Sequence, residues 1–177
     1  KETMIMSRKR IVVIGGSAAG PKAAAKARRM DEHAEVVILQ KDSDLSMASC
    51  GYPYYVGGYF DDRNMLLCTP AGIVRDPQFY LNAKNIKAGT NTEVTGIDRK
   101  AHEVSFKSLL TGVTGTVAFD KLVIATGATP RMPPISPIQK ELATDTHAQG
   151  AVIATSPARA PFKAILMSAF LNIIQDV

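Results

Sequence analysis

The chain has 177 residues, 46% hydrophobic and 21% charged, enough apolar material for the core of one domain and unlike a disordered segment. Its 21 Lys+Arg against 16 Asp+Glu leave a net charge of +5, which points to an anionic partner, but 6% aromatic residues and no long basic run argue against nucleic acid. Two cysteines cannot make a disulfide framework, and no apolar run reaches the roughly 18 residues of a membrane span, so the expectation is a cytoplasmic protein in a reducing compartment, away from membranes.

The first element is Ile11–Ile14, an apolar β-branched run that reads as a buried parallel strand. Gly15-Gly16-Ser17-Ala18-Ala19-Gly20 follows and opens an alanine-rich helix running to Met30, with Pro21 tolerated in its first turn. Val36–Leu39 is a second buried strand, which completes a βαβ unit. Residues 43–58, rich in Ser, Gly, Tyr and Pro, read as loop. Thr69-Pro70 and Asp76-Pro77 read as helix starts, and residues 77–86 as one short helix with Phe79, Tyr80, Ala83 and Ile86 inward. The alternation of Val94, Ile97, Val104, Phe106, Val113, Val117 and Phe119 predicts three antiparallel strands inserted into the parallel sheet. Leu122–Ala125 returns as a buried strand. Residues 130–161 carry six prolines, Pro130, Pro133, Pro134, Pro137, Pro157 and Pro161, so that 135–161 reads as a Pro-rich linker, and residues 162–177 carry an apolar helical face. The chain opens at Lys1 rather than Met, as a trimmed or tagged start would.

Gly15-x-Ser17-x-x-Gly20 departs from G-x-G-x-x-G at its second glycine, where Ser17 stands, but lies in the required context, after a strand and before a helix. Gly15 permits the tight turn, and the small side chains of Gly16, Ser17, Ala18 and Ala19 let a pyrophosphate approach the backbone. Gly20 lets helix and strand close up, and the helix N-terminus adds donors and a positive dipole. A tight turn without ligand is the alternative. At the end of the second strand, where a carboxylate would hold a ribose, Gln40 and Lys41 stand instead; Gln still offers a weaker hydrogen bond. Lys22, Lys26 and Arg29, at i, i+4 and i+7, share one helix face, either as a solvated surface or as a second polyanion site. Cys50 lies in a loop of small residues that would expose its thiol, and the thiolate would be its reactive form. No second cysteine follows within five residues, so its chemistry needs an external thiol or a sulfenic acid. Cys68 reads as an unreactive small residue. No metal site is expected.

Val12–Gly20, the segment Ser46-x-x-Ser49-Cys50-Gly51-x-Pro53-Tyr54, and Thr116–Pro130 with Asp120 and Ala125-Thr126-Gly127 together resemble the FAD-dependent pyridine nucleotide-disulfide oxidoreductases, in the coenzyme A-disulfide reductase and NADH oxidase/peroxidase branch. The resemblance spans residues 9–134 and implies an α/β, Rossmann-like FAD-binding domain, a parallel sheet with an inserted antiparallel β-meander. It implies FAD contacts at Gly15, Gly16, Ser17, Ala18, Ala19, Gly20, Gln40, Lys41, Ala125, Thr126 and Gly127, and a redox thiol at Cys50. It also implies coenzyme A contacts at Lys22, Lys26, Arg29, Ser46, Ser49 and Lys84. The implied activity passes electrons from NAD(P)H through FAD and Cys50 to coenzyme A disulfide or a related persulfide or polysulfide. Oxidase or peroxidase chemistry through a sulfenic acid is the alternative, and an inactive nucleotide-binding module a further one. Such enzymes are longer and are expected to be homodimers. Nothing after Pro134 resembles a second glycine-rich turn, so the chain reads as an FAD-domain fragment, as discontinuous segments joined, or as a chain with a divergent tail, and without a recognisable NAD(P)H domain it is expected to be inactive alone.

Overall fold

The computed structural model describes residues 8–128. In chain order these form β1 (Arg10–Ile14), α1 (Ala19–Met30), β2 (Glu35–Leu39), a 3-10 turn (Ser49–Gly51), α2 (Tyr52–Val56), a second 3-10 turn (Arg63–Leu66), α3 (Pro77–Lys84), β3 (Lys87–Gly89), β4 (Thr92–Asp98), β5 (Glu103–Ser108), β6 (Thr114–Ala118) and β7 (Lys121–Ile124). They divide into two units, one built from residues 8–49 and 64–127 and the other containing Cys50–Arg63. The expected linker and apolar helix at residues 135–177 lie outside the described residues.

The larger unit has a four-stranded parallel sheet in the order β3-β2-β1-β7 and a three-stranded antiparallel sheet in the order β4-β5-β6. This is a Rossmann-like domain with an inserted β-meander. The β-branched runs of β1 and β2 suit a strand covered on both faces. Val13, Val36 and Ile38 face α1 and α3, in a cluster with Ala24, Ala25, Tyr80 and Ile86. Val12, Ile14 and Leu39 face the other way, onto Val104 of β5 with Val94 and Val117 beside it. Among the described residues the largest fully buried side chains are Val104 and six on these strands and their immediate cover: Val12, Val13, Val36, Ile38, Tyr80 and Ile86. Alanines on α1 let it lie close to the sheet.

Asp120 starts β7 by a reciprocal exchange with β1: its carboxylate accepts from the Arg10 N–H at 2.6 Å, and its own N–H donates to the Arg10 carbonyl at 2.8 Å. At the same end of the sheet, Arg10 Nε and Lys87 Nζ both donate to the carboxylate of Glu35, at 2.6 and 2.8 Å. One residue thus ties the starts of β1, β2 and β3 together. The Lys87 hydrogen bond, then that of Arg10, holds the Glu35 carboxyl below its ordinary pKa.

Three expectations need correction. Thr69-Pro70 does not start a helix: the Gly72 N–H returns to the Thr69 carbonyl at 2.9 Å, with Gly72 at φ +77, and an isolated antiparallel bridge joins Cys68 to Val74. Proline followed two residues later by a left-handed glycine suits a tight turn better than a helix. Asp76 does cap α3, accepting from the Phe79 N–H at 2.7 Å, but the helix stops at Lys84 on a left-handed Asn85. Ile86 is therefore buried from outside the helix, and Ala83 is exposed. Within 43–58, read as loop throughout, Pro53 opens the short helix α2.

The smaller unit holds no fully buried residue between Cys50 and Arg63. Aromatic contacts are among those within it: Tyr54 meets Tyr59 edge-on with centroids 6.1 Å apart, and Tyr55 lies 5.8 Å from Phe60. Gly57 closes α2 with its N–H on the Pro53 carbonyl at 2.8 Å.

Candidate functional site

The parallel register puts Ile14 beside Leu39 on one side and Ile124 on the other. The chain leaves β1 toward β2 and later returns to pair β7 on its opposite edge. The carboxyl ends of β1 and β7 therefore flank a topological switch point, where open α/β sheets bind ligands. Gly15–Gly20 and Ala125–Gly127, far apart in sequence, meet there: the Ala125 N–H donates to the Ile14 carbonyl at 2.8 Å.

Two glycines of this turn are sterically required. Gly15 has φ +101, and a Cβ there would collide with the Ala125 carbonyl. A Cβ on Gly20 would overlap the Gly15 carbonyl and stand 3.1 Å from Val13 Cγ1. A Cβ on Gly16 would meet Leu45 Cδ2 at 2.6 Å. Helix α1 opens at Ala18–Ala19 with no side-chain cap and no acidic residue in its first turn. Its first N–H groups have no intrahelical acceptor, and no acidic side chain of the first turn competes for them. A backbone cradle bared to this degree fits a dinucleotide's pyrophosphate.

Not every residue assigned to the cofactor is free to touch it. The Gly15 N–H donates to the Leu39 carbonyl at 2.8 Å, and the Gly16 N–H donates to Gln40 Oε1 at 2.6 Å. The open donors are therefore those from Ser17 onward. Gln40 is 5% exposed, and its Nε2 donates to the Asp42 carboxylate at 3.2 Å, so both ends of its amide are engaged within the chain. Lys41 pairs with Glu93 of β4 at 2.9 Å, and that carboxylate raises its pKa. Thr126 and Gly127 are exposed beside Gly15, with Gly127 at φ +71.

Lys22, Lys26 and Arg29 are all exposed on α1. Lys84 lies elsewhere, its Nζ 5.7 Å from the Phe79 ring centre and 5.3 Å from that of Tyr80. Ser46 adopts φ 54, donates its N–H to the Gly16 carbonyl at 2.7 Å, and its hydroxyl is hydrogen bonded to that of Tyr80. Sequence reasoning places Tyr80 in the core and misses this bond, because no local pattern links residues 34 apart. Ser49 is exposed. In the smaller unit Cys50 is an exposed free thiol on a 3-10 turn just before α2; Cys68, in the larger unit, is free and half-buried.

A pyridine nucleotide-disulphide oxidoreductase family model matches residues 9–160. Coenzyme A disulfide reductase of Staphylococcus epidermidis is 33% identical over 120 residues, 67% of this chain and 26% of that protein. An NAD-dependent persulfide reductase structure from A. fulgidus superposes with a TM-score of 0.69 and 42% identity, over 73% of this chain and 24% of that one. The water-forming NADH oxidase from Lactobacillus brevis gives 0.61 and 26%, over 72% and 27%. The chain thus spans about a quarter of the length of these relatives. The family match takes in every described strand and the whole glycine cradle, and the chain belongs to the pyridine nucleotide-disulphide oxidoreductases, a family dependent on FAD and NAD(P)H.

Proposed function

We propose that residues 9–134 are the FAD-binding unit of a disulfide reductase whose substrate is coenzyme A disulfide or a related persulfide, with Cys50 as its redox thiol. The observation that carries this reading is the exposed, unpaired Cys50 on its Ser-Cys-Gly turn, in a chain with no neighbouring cysteine to form an internal redox pair. The Gly15–Gly20 turn would hold the pyrophosphate through the N–H groups of Ser17 to Gly20, with Ala125 to Gly127 alongside. Bound FAD would relay the two electrons of a nicotinamide hydride.

The Cys50 thiolate attacks one sulfur of the substrate disulfide, forms Cys50–S–S–R and releases R–S⁻. Two electrons then cleave that mixed disulfide, returning the Cys50 thiolate and a second R–S⁻, and two protons from solvent complete two thiols. Lys22, Lys26 and Arg29, exposed at one-turn spacing, supply the positive charge that a pyrophosphate and a 3′-phosphate would select. In the full-length enzyme, Cys50→Ser should retain the flavin spectrum and lose disulfide turnover by more than about 10³-fold. Undiminished turnover would overturn the mechanism.

The likeness to a water-forming NADH oxidase supports a second reading, in which Cys50 cycles through a sulfenic acid. Dioxygen and peroxide need no phosphate contacts. Changing Lys22, Lys26 and Arg29 together to Ala should raise KM for coenzyme A disulfide at least about tenfold; an unchanged KM would favour the oxidase.

A further inference from the structure

We propose that Tyr80 is a positioning residue for the substrate's anionic end: its buried phenol donates to Ser46 Oγ and so leaves the Ser46 O–H to donate to a phosphate oxygen of the substrate. This rests on the reading of Ser46 as a coenzyme A contact, and extends it to a residue in the core.

Three observations carry the proposal, and the first sets the polarity. Tyr80 is 2% exposed and packs in an apolar cluster with Val13, Ala24, Ala25, Ala34, Val36, Ile38, Leu45 and Ile86. The partner of its hydroxyl is Ser46 Oγ. If Ser46 were the donor, the phenol proton would have no acceptor of its own among the described residues, the costly arrangement for a largely buried O–H. With the phenol as donor, the proton of Ser46 is free to leave the pair, and Ser46 is only half-buried.

The second observation is that Ser46 does not choose its own orientation. Its left-handed backbone at φ 54 is uncommon for a residue with a side chain, and it is held by the Gly16 carbonyl on one side and Tyr80 on the other. The third is the setting of Tyr80: Asp76 caps the helix that carries it, and Lys84 lies over its ring face, so the phenol is clamped from below. Such a hydroxyl chain, phenol to serine to phosphate, strengthens each bond by polarising the next.

The test is a double-mutant cycle in the full-length enzyme, reading KM and kcat for coenzyme A disulfide and the dissociation constant for coenzyme A. Ser46→Ala should weaken both affinities about tenfold, and Tyr80→Phe about three- to fivefold, with kcat held within about twofold. The double variant should be no weaker than Ser46→Ala alone. Site-specific 3-fluorotyrosine at position 80 keeps the ring in the core and makes a stronger donor. It should tighten coenzyme A binding in the parent and change nothing in the Ser46→Ala background. Additive losses in the double variant, or a silent Tyr80→Phe beside a weakened Ser46→Ala, would overturn the proposal. Unchanged coenzyme A affinity in Ser46→Ala would remove the coenzyme A reading of Ser46, and the role of Tyr80 with it.

Discussion

Replacing Gln40 by Glu is isosteric, yet it should convert a stabilising contact into a pH-dependent conflict. In the parent, Oε1 accepts from the Gly16 N–H and Nε2 donates to the Asp42 carboxylate at 3.2 Å, within a residue 5% exposed. A carboxylate keeps the first bond and turns the second into oxygen facing oxygen. Two unit charges about 4 Å apart at an effective dielectric of about 20 repel by ~4 kcal/mol. Asp42 is half-exposed and can rotate toward water, so roughly half of that should remain. The expected loss is about 2 kcal/mol at pH 7.5, or about 30-fold in the folding equilibrium.

The sign follows from the protonated form. A neutral carboxyl donates to Asp42 as the amide did, so the folded state raises the pKa of the introduced group above the ~4.3 of an unfolded glutamate. Stability comparable to the parent's is then present below that unfolded value and is lost as pH rises through the raised folded one. Urea unfolding of parent and variant at pH 4.5, 6 and 7.5 should show midpoints that nearly coincide in acid and diverge toward neutrality. Midpoints that stay parallel across the range would refute the placement of the amide against Asp42.

Glu35→Gln should destabilise by about 1 kcal/mol at neutral pH, because Lys87 is largely solvated and Arg10 is partly exposed. Since its pKa is depressed in the fold, the stabilisation exists above the unfolded carboxyl value and fades as pH falls through the folded one, so thermal melts of parent and variant should converge in acid. Gly20→Ala drives a Cβ into the Gly15 carbonyl and should cost about 3 kcal/mol or more, with loss of flavin from the purified protein. A yellow Gly20→Ala protein of parental stability would remove the argument for that close approach.

Elements with a long local signature could be read from sequence. Ile11–Ile14 is a continuous β-branched run and Val36–Leu39 a continuous apolar one, and the small residues Gly15 to Gly20 after the first favour a turn into a helix held against the sheet. Elements defined by a partner could not. β3 is three residues, Lys87–Gly89, with no apolar run, and is a strand because Val37–Leu39 offers it an edge. In β4 the alternation fails between Val94 and Ile97 because a bulge falls there, so a pairing irregularity looks like weak patterning.

The candidate site divides the same way. The carboxyl-end position of Gly15–Gly20 and Ala125–Gly127 is written in their sequence context. Gln40, expected to reach outward to a ribose, instead spends its amide on Gly16 and Asp42. That outcome depends on burial, which its own neighbours in sequence do not reveal.

The asymmetric use of amides in the glycine turn gives this protein a built-in internal standard for hydrogen–deuterium exchange. The Gly15 and Gly16 amides already have acceptors inside the protein and should exchange slowly whatever is bound. Those of Ser17, Ala18 and Ala19, at an uncapped helix start, should exchange within the first time points and slow only when an anion arrives. Within one short peptide, the ratio of the two rates would report occupancy of the cradle without a chromophore, a turnover assay or a second domain.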